Sequence, residues 1–143
     1  MGPAGSGQIT KLCNNLIFAA QIVGVAEAYA LLVRAGLDAS LVTEVFKVST
    51  ADCYAVRQRV PVDGVQPACP ASNGYAPGFA TEWMAKDLHL IEDYAKTAGV
   101  PVMQAALDHQ LLRAAMAHGY AKLDLSVVGK MLQEWTAKSS VPA

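Results

Sequence analysis

From Leu16 to Val33 the chain is apolar almost without a break, interrupted only by polar residues such as Gln21 and Glu27. This pattern predicts one long helix from about Ser6 to Ala35, stopped at Gly36, a residue suited to a C-cap. The run has the length of a membrane span, yet its flanks lack the Lys/Arg cluster that sets membrane topology. No basic leader of the secretory type precedes it. A helix apolar nearly all round is otherwise the buried centre of a larger helical protein, and that is the expectation here. Asp38 is placed to cap a second helix carrying Leu41, Val42, Val45 and Phe46 at helical spacing, and Thr50 a short third one over Ala51 to Arg59. Val60 to Gly78, with Pro61, Pro67, Pro70 and Pro77, reads as a long loop of the functional or mobile kind. Thr81 opens a fourth helix that ends near Gly99, and Pro101 suits the first turn of a fifth that reaches about His118. Asp124 or Ser126 caps a last helix holding Val127, Val128, Met131, Leu132 and Trp135. With no strand alternation and no internal repeat, residues 1–143 read as a single all-α domain of about six helices.

Composition narrows the function classes. At 143 residues, 53% apolar and 16% charged, the chain suffices for one domain with a substantial core. A formal net charge of −1 offers no basic footprint for a nucleic acid. Cys13, Cys53 and Cys69 are widely spaced and form no metal-type pair, and their odd number fits reduced thiols in a cytoplasmic protein. Cys13 is expected to be a small buried hydrophobe.

The candidate chemistry lies in two lysine segments. Lys11 and Asn15 stand four residues apart behind the glycines Gly2, Gly5 and Gly7, on one face of the first helix and able to point at the same small molecule. A lysine in the first turn sits at the positive end of the helix dipole, which favours its use as a proton acceptor. The glycines do not make a dinucleotide fingerprint, which needs a preceding strand and a βαβ unit. In Met84-Ala85-Lys86-Asp87-Leu88, Lys86 would offer donors to a phosphate, ribose or carboxylate. Lys86 and Asp87 are consecutive, point about a hundred degrees apart and do not easily share one task. Against these readings stands the ordinary one of solvated surface lysines. His89, His109 and His118 are scattered, and no pattern indicates a metal site.

Gly5-Ser6-Gly7-Gln8 through Lys11-Leu12-Cys13-Asn14-Asn15, followed by Gly78-Phe79 and Met84-Ala85-Lys86-Asp87-Leu88, resembles the β-hydroxyacid dehydrogenase family, most of all its members acting on 3-hydroxyisobutyrate. Ala26-Glu27-Ala28, Gly36-Leu37-Asp38, Ala71-Ser72-Asn73-Gly74-Tyr75, His109-Gln110 and Gly119-Tyr120 extend the likeness over essentially the whole chain. The resemblance implies the helical C-terminal domain of an NAD- or NADP-dependent dehydrogenase, with the N-terminal Rossmann domain absent from this sequence. It implies a small 3-hydroxy acid as substrate and a homodimer or higher homo-oligomer formed through the long first helix, with neither nucleic acid nor membrane as partner. Lys11 corresponds to the catalytic general acid/base, Asn15 and Asn14 to substrate-binding residues, Lys86 to the lysine that reaches the cofactor, and Asp87 to a supporting group at that site. The isolated chain is expected to lack activity. The rival expectation is a stand-alone helical dimerisation or binding module that kept the fold and lost the reaction.

Overall fold

In the computed structural model, which describes residues 2 and 5–137, helix α1 (Ser6–Arg34) is the axis of the molecule. Its buried residues Asn15, Ala19, Ile22, Val23, Ala26, Tyr29 and Ala30 recur every three or four positions and so form one stripe. That stripe meets α4 (Thr81–Ala98), α5 (Met103–Ala115) and α6 (Val127–Ala137) in a core holding Met84, Leu88, Leu112, Leu125, Val128 and Met131. Two shorter helices, α2 (Ala39–Phe46) and α3 (Tyr54–Gln58), complete the six α-helices among the described residues. The small side chains Ala19 and Ala26 keep α1 close to its neighbours. The all-α expectation holds.

Burial of α1 is one-sided, which corrects the expectation of a helix enclosed all round. Ile17 and Leu31 are 58% and 73% exposed, and Val33 is exposed as well. The helix is long and apolar enough to cross a membrane by length and composition, but its buried stripe is occupied by the helices of its own domain.

Local chemistry explains most of the helix ends. Asp38 caps α2 as expected, its Oδ1 accepting from the N–H groups of Ser40 (2.8 Å) and Leu41 (3.3 Å). Gly99 closes α4 in the left-handed conformation at φ 69°. The α4 N-terminus is met from elsewhere: Thr81 and Glu82 donate their N–H groups to the carbonyls of Leu123 and Ala121. Thr50 does not cap α3. Ser49 Oγ accepts from Ala51 N–H instead, and Arg57 forks onto Asp52 (2.6 and 2.9 Å) while donating to the Lys47 carbonyl, so the chain turns through Asp52 and becomes helical only after Cys53. Pro101 lies outside α5. Val102 adopts a non-helical φ of −123°, packs on the core, and its carbonyl accepts the first helical bond from Ala106. Past Ala115 the chain makes a wider helical turn, Met116–Tyr120, kinked within it at Gly119 with φ 87°.

The segment 60–78, expected as a long loop of the functional or mobile kind, is held in place by packing and hydrogen bonds. Val60 and Cys69 are buried against Tyr29, and a single 3-10 turn, Pro70–Asn73, sits within the segment. Asn73 Nδ2 donates to the carbonyls of Pro67 and Cys69, Gln66 Nε2 to that of Val56, and Tyr75 Oη to that of Pro61. Burial pushes the Tyr75 hydroxyl up to about 12 and also raises the Cys69 thiol. Cys13, expected inside, is exposed on α1. Pro3 and Ala4 of the opening glycine-rich run lie outside the described residues.

Candidate active site

Asp87 organises the site. It lies on the face of α4 that packs against α1 and is 3% exposed. Asn15 Nδ2 donates to its Oδ2 at 2.7 Å, and Lys11 Nζ stands 3.4 Å from the same oxygen. Asn14 Nδ2 donates in turn to Asn15 Oδ1 at 3.2 Å, so the Asn15 amide is engaged at both ends. Lys86 Nζ reaches to 3.8 Å from Asp87 Oδ1 and lies 5.7 Å from the centre of the Trp83 ring. The five residues singled out in the sequence therefore form one network, a buried carboxylate between two exposed ammonium groups. Consecutive residues come within ion-pair distance here, because the lysine stem is long enough to fold back beside its neighbour.

Lys11 does not sit in the first helical turn. It is the sixth residue of α1, about 7.5 Å along the axis from the helix start, where the field of the helix end has faded. Its electrostatic partner is Asp87, and its side chain remains 65% exposed.

Lys11, Asn14 and Asn15 also line a cleft of about 520 Å³, which Lys86 and Asp87 do not line. Phe18, Tyr54 and Phe79 provide its apolar wall, with the Phe18 and Tyr54 rings meeting edge to face at 5.5 Å between centroids. Arg59, just after α3, stands over the Tyr54 ring and completes the lining with a second cation. Behind it Asp124 is fully buried, accepting from the N–H groups of Gly78 (3.0 Å) and Phe79 (3.1 Å) and from Ser126 N and Oγ.

The described shape and sequence are similar to those of one part of known dehydrogenases. Residues 5–132 match the family model for the NAD-binding domain of NADP-dependent 3-hydroxyisobutyrate dehydrogenase. The mitochondrial 3-hydroxyisobutyrate dehydrogenase of Rattus norvegicus is 40% identical over 133 residues, 93% of this chain and 40% of that protein. This chain belongs to the β-hydroxyacid dehydrogenase family. An NAD-dependent L-serine dehydrogenase of Pseudomonas aeruginosa is 38% identical over 91% of the chain and 44% of that protein. A Mycobacterium tuberculosis 3-hydroxyisobutyrate dehydrogenase solved with L-serine superposes with a TM-score of 0.86 at 37% identity, over 92% of this chain and 45% of that one. The chain thus spans less than half the length of these relatives.

Membership of this dehydrogenase family gives the cofactor class as NAD(P). The donor set fits it: the Lys86 ammonium is 56% exposed and its charge is partly balanced by Asp87, which suits a phosphate or a ribose hydroxyl. The sequence reading missed Arg59, Tyr54 and Phe18 as cleft residues. Arg59 follows a short helix, and nothing in the local sequence around Tyr54 or Phe18 marks them as cleft residues. Gly78-Phe79 carries part of the family likeness, and the sequence marks Asp124 only as a helix cap.

Proposed function

We propose that this chain is the helical C-terminal part of an NAD(P)-dependent dehydrogenase of short 3-hydroxy acids, in which Lys11 is the general acid/base. The observation that carries the reading is the convergence of Lys11, Asn15 and Lys86 on the buried Asp87 beside a cleft. An NAD(P) held by Lys86 would supply the acceptor for the hydride that leaves the carbinol carbon. Lys11 Nζ, as the amine, accepts the hydroxyl proton, and the ammonium so formed stands 3.4 Å from the Asp87 carboxylate that compensates its charge. In the reverse direction the same ammonium gives its proton to the substrate oxygen. Asn15, fixed between Asn14 and Asp87, keeps the substrate hydroxyl aligned with Lys11, and Lys86 holds the cofactor from the helical side. Asp87 positions the two lysines.

The experiment is a fluorescence titration of NADH and NADPH with the purified chain and its Lys86→Ala variant. Saturable binding that the variant loses supports the reading, while equal binding by both removes Lys86 from the cofactor site. With most cofactor contacts expected outside this chain, no turnover of 3-hydroxy acids is expected from it alone, and steady NADH production from 3-hydroxyisobutyrate would refute that. The rival reading, a helical self-association module, draws on the exposed Ile17 and Leu31 of α1. Self-association through α1 belongs to both readings, so loss of nucleotide binding with retained oligomerisation would favour the module. A cytoplasmic location remains part of the proposal, to be tested by cell fractionation.

A further inference from the structure

Arg59 is a cation of the cleft that the proton transfer leaves unused. Its side chain is 15% exposed, its Cζ lies 5.5 Å from the centre of the Tyr54 ring, and Nη1 donates to the Gln58 carbonyl at 2.8 Å. The lack of a side chain at Gly78 makes room for it, since a Cβ there would lie 2.7 Å from Nη2. Asp124 pairs with it by charge alone, its Oδ2 standing 3.6 Å from Nε without a hydrogen bond, and its oxygens already accept from Gly78, Phe79 and Ser126. Nε is consequently buried with no acceptor, and among the described residues Nη2 donates to none. A guanidinium has five N–H donors, and one is met here. The cleft holds the cations Lys11 and Arg59 and no acidic side chain, with Phe18, Tyr54 and Phe79 as apolar walls that strengthen any charge contact inside.

We propose that Arg59 is a specificity-determining residue that receives the carboxylate of the acid whose hydroxyl faces Lys11, an inference that rests on the dehydrogenase reading above. The planar fork matches a carboxylate through two parallel N–H bonds, which an alcohol or amide end does not reproduce. Arg59 thereby selects hydroxy acids over hydroxy amides and plain alcohols.

The test follows the Arg59 Nε–H and Asn15 side-chain NMR signals of the ¹⁵N-labelled full chain during titration with 3-hydroxypropionate and, separately, its primary amide. The acid is expected to shift the Arg59 signal saturably, and the amide to bind roughly 10- to 100-fold more weakly, the range expected for losing a charge-assisted hydrogen bond. Arg59→Lys, which keeps a positive charge near Asp124, is expected to weaken acid binding about tenfold without changing amide binding. Equal binding of acid and amide, or an Arg59 signal that the acid leaves unmoved, overturns the inference whatever Asn15 does. An Asn15 response without an Arg59 response retains the dehydrogenase reading and removes Arg59 from it. The opposite pattern retains Arg59 as a carboxylate receptor and counts against the placement of the hydroxyl at Lys11.

Discussion

Two aspartates of equal burial have opposite energetic signs. Asp124 accepts four hydrogen bonds and faces Arg59, so its charge is compensated in place. Asp108, on α5 and fully buried, accepts one bond from Gln104 at 2.7 Å, and its Oδ2 has no partner. Burial raises the Asp108 carboxyl above its ordinary value of 3.8, the Gln104 bond partly offsets this, and Glu27 adds to it. Because the folded chain then holds its proton more tightly than the unfolded chain, Asp108 costs no stability below about pH 3.8 and a growing amount as pH rises through its folded pKa. Asp108→Asn, which keeps the shape, is therefore expected to gain about 1–2 kcal/mol at pH 7 and to lose that advantage near pH 4. Urea unfolding at the two pH values checks both the gain and its disappearance. Asp124→Asn is expected to go the other way, losing about 3 kcal/mol at pH 7 because Arg59 is left beside an uncharged amide. A loss below the error of the unfolding curves would mean that the Arg59–Asp124 pair holds nothing.

At the scale of elements, two glycines in helices separate packing from propensity. A Cβ on Gly129 of α6 would lie 2.3 Å from Pro61 Cβ, a ring atom that cannot swing aside, and 3.6 Å from Ala26 on α1. Gly129→Ala must push α6 away from the 60–78 segment and is expected to lose about 1–3 kcal/mol. Gly24 of α1 meets nothing within 4 Å, so Gly24→Ala is expected to add about 0.5–1 kcal/mol in the monomeric chain through helix propensity alone. Thermal unfolding of both variants decides, and matching signs would break the argument. The same locality explains what could be read from the sequence. Gly36, Asp38 and Gly99 mark helix ends through their own backbone or side chain, and the lysine segments carried their spacing and family likeness with them. The start of α3 was not legible because Arg57 sets it by reaching back to Asp52 and the Lys47 carbonyl. Nor was the Arg59–Asp124 pair, since only the packing of segment 60–78 against α6 brings these distant residues together.

For the whole molecule, the face of α1 turned away from its own core needs an account. Ile17, Gly24 and Leu31 are exposed and seven residues apart, so they share one side of the helix, with a glycine between two bulky aliphatic groups. A face of this kind costs little when a second helix lies along it, the glycine allowing close approach and the aliphatic groups filling the flanks. Association through α1 predicts a light-scattering mass above the 15.1 kDa of one chain, and Leu31→Glu and Ile17→Glu should each return it to that value. Both substitutions lie on the exposed side, so the circular dichroism of the variants should remain helical. A wild-type mass of 15.1 kDa at high concentration would remove the self-association reading at a stroke. Gly24→Ala then links this scale to the last: a partner helix pressed against Gly24 would turn the expected gain into a loss that vanishes on dilution.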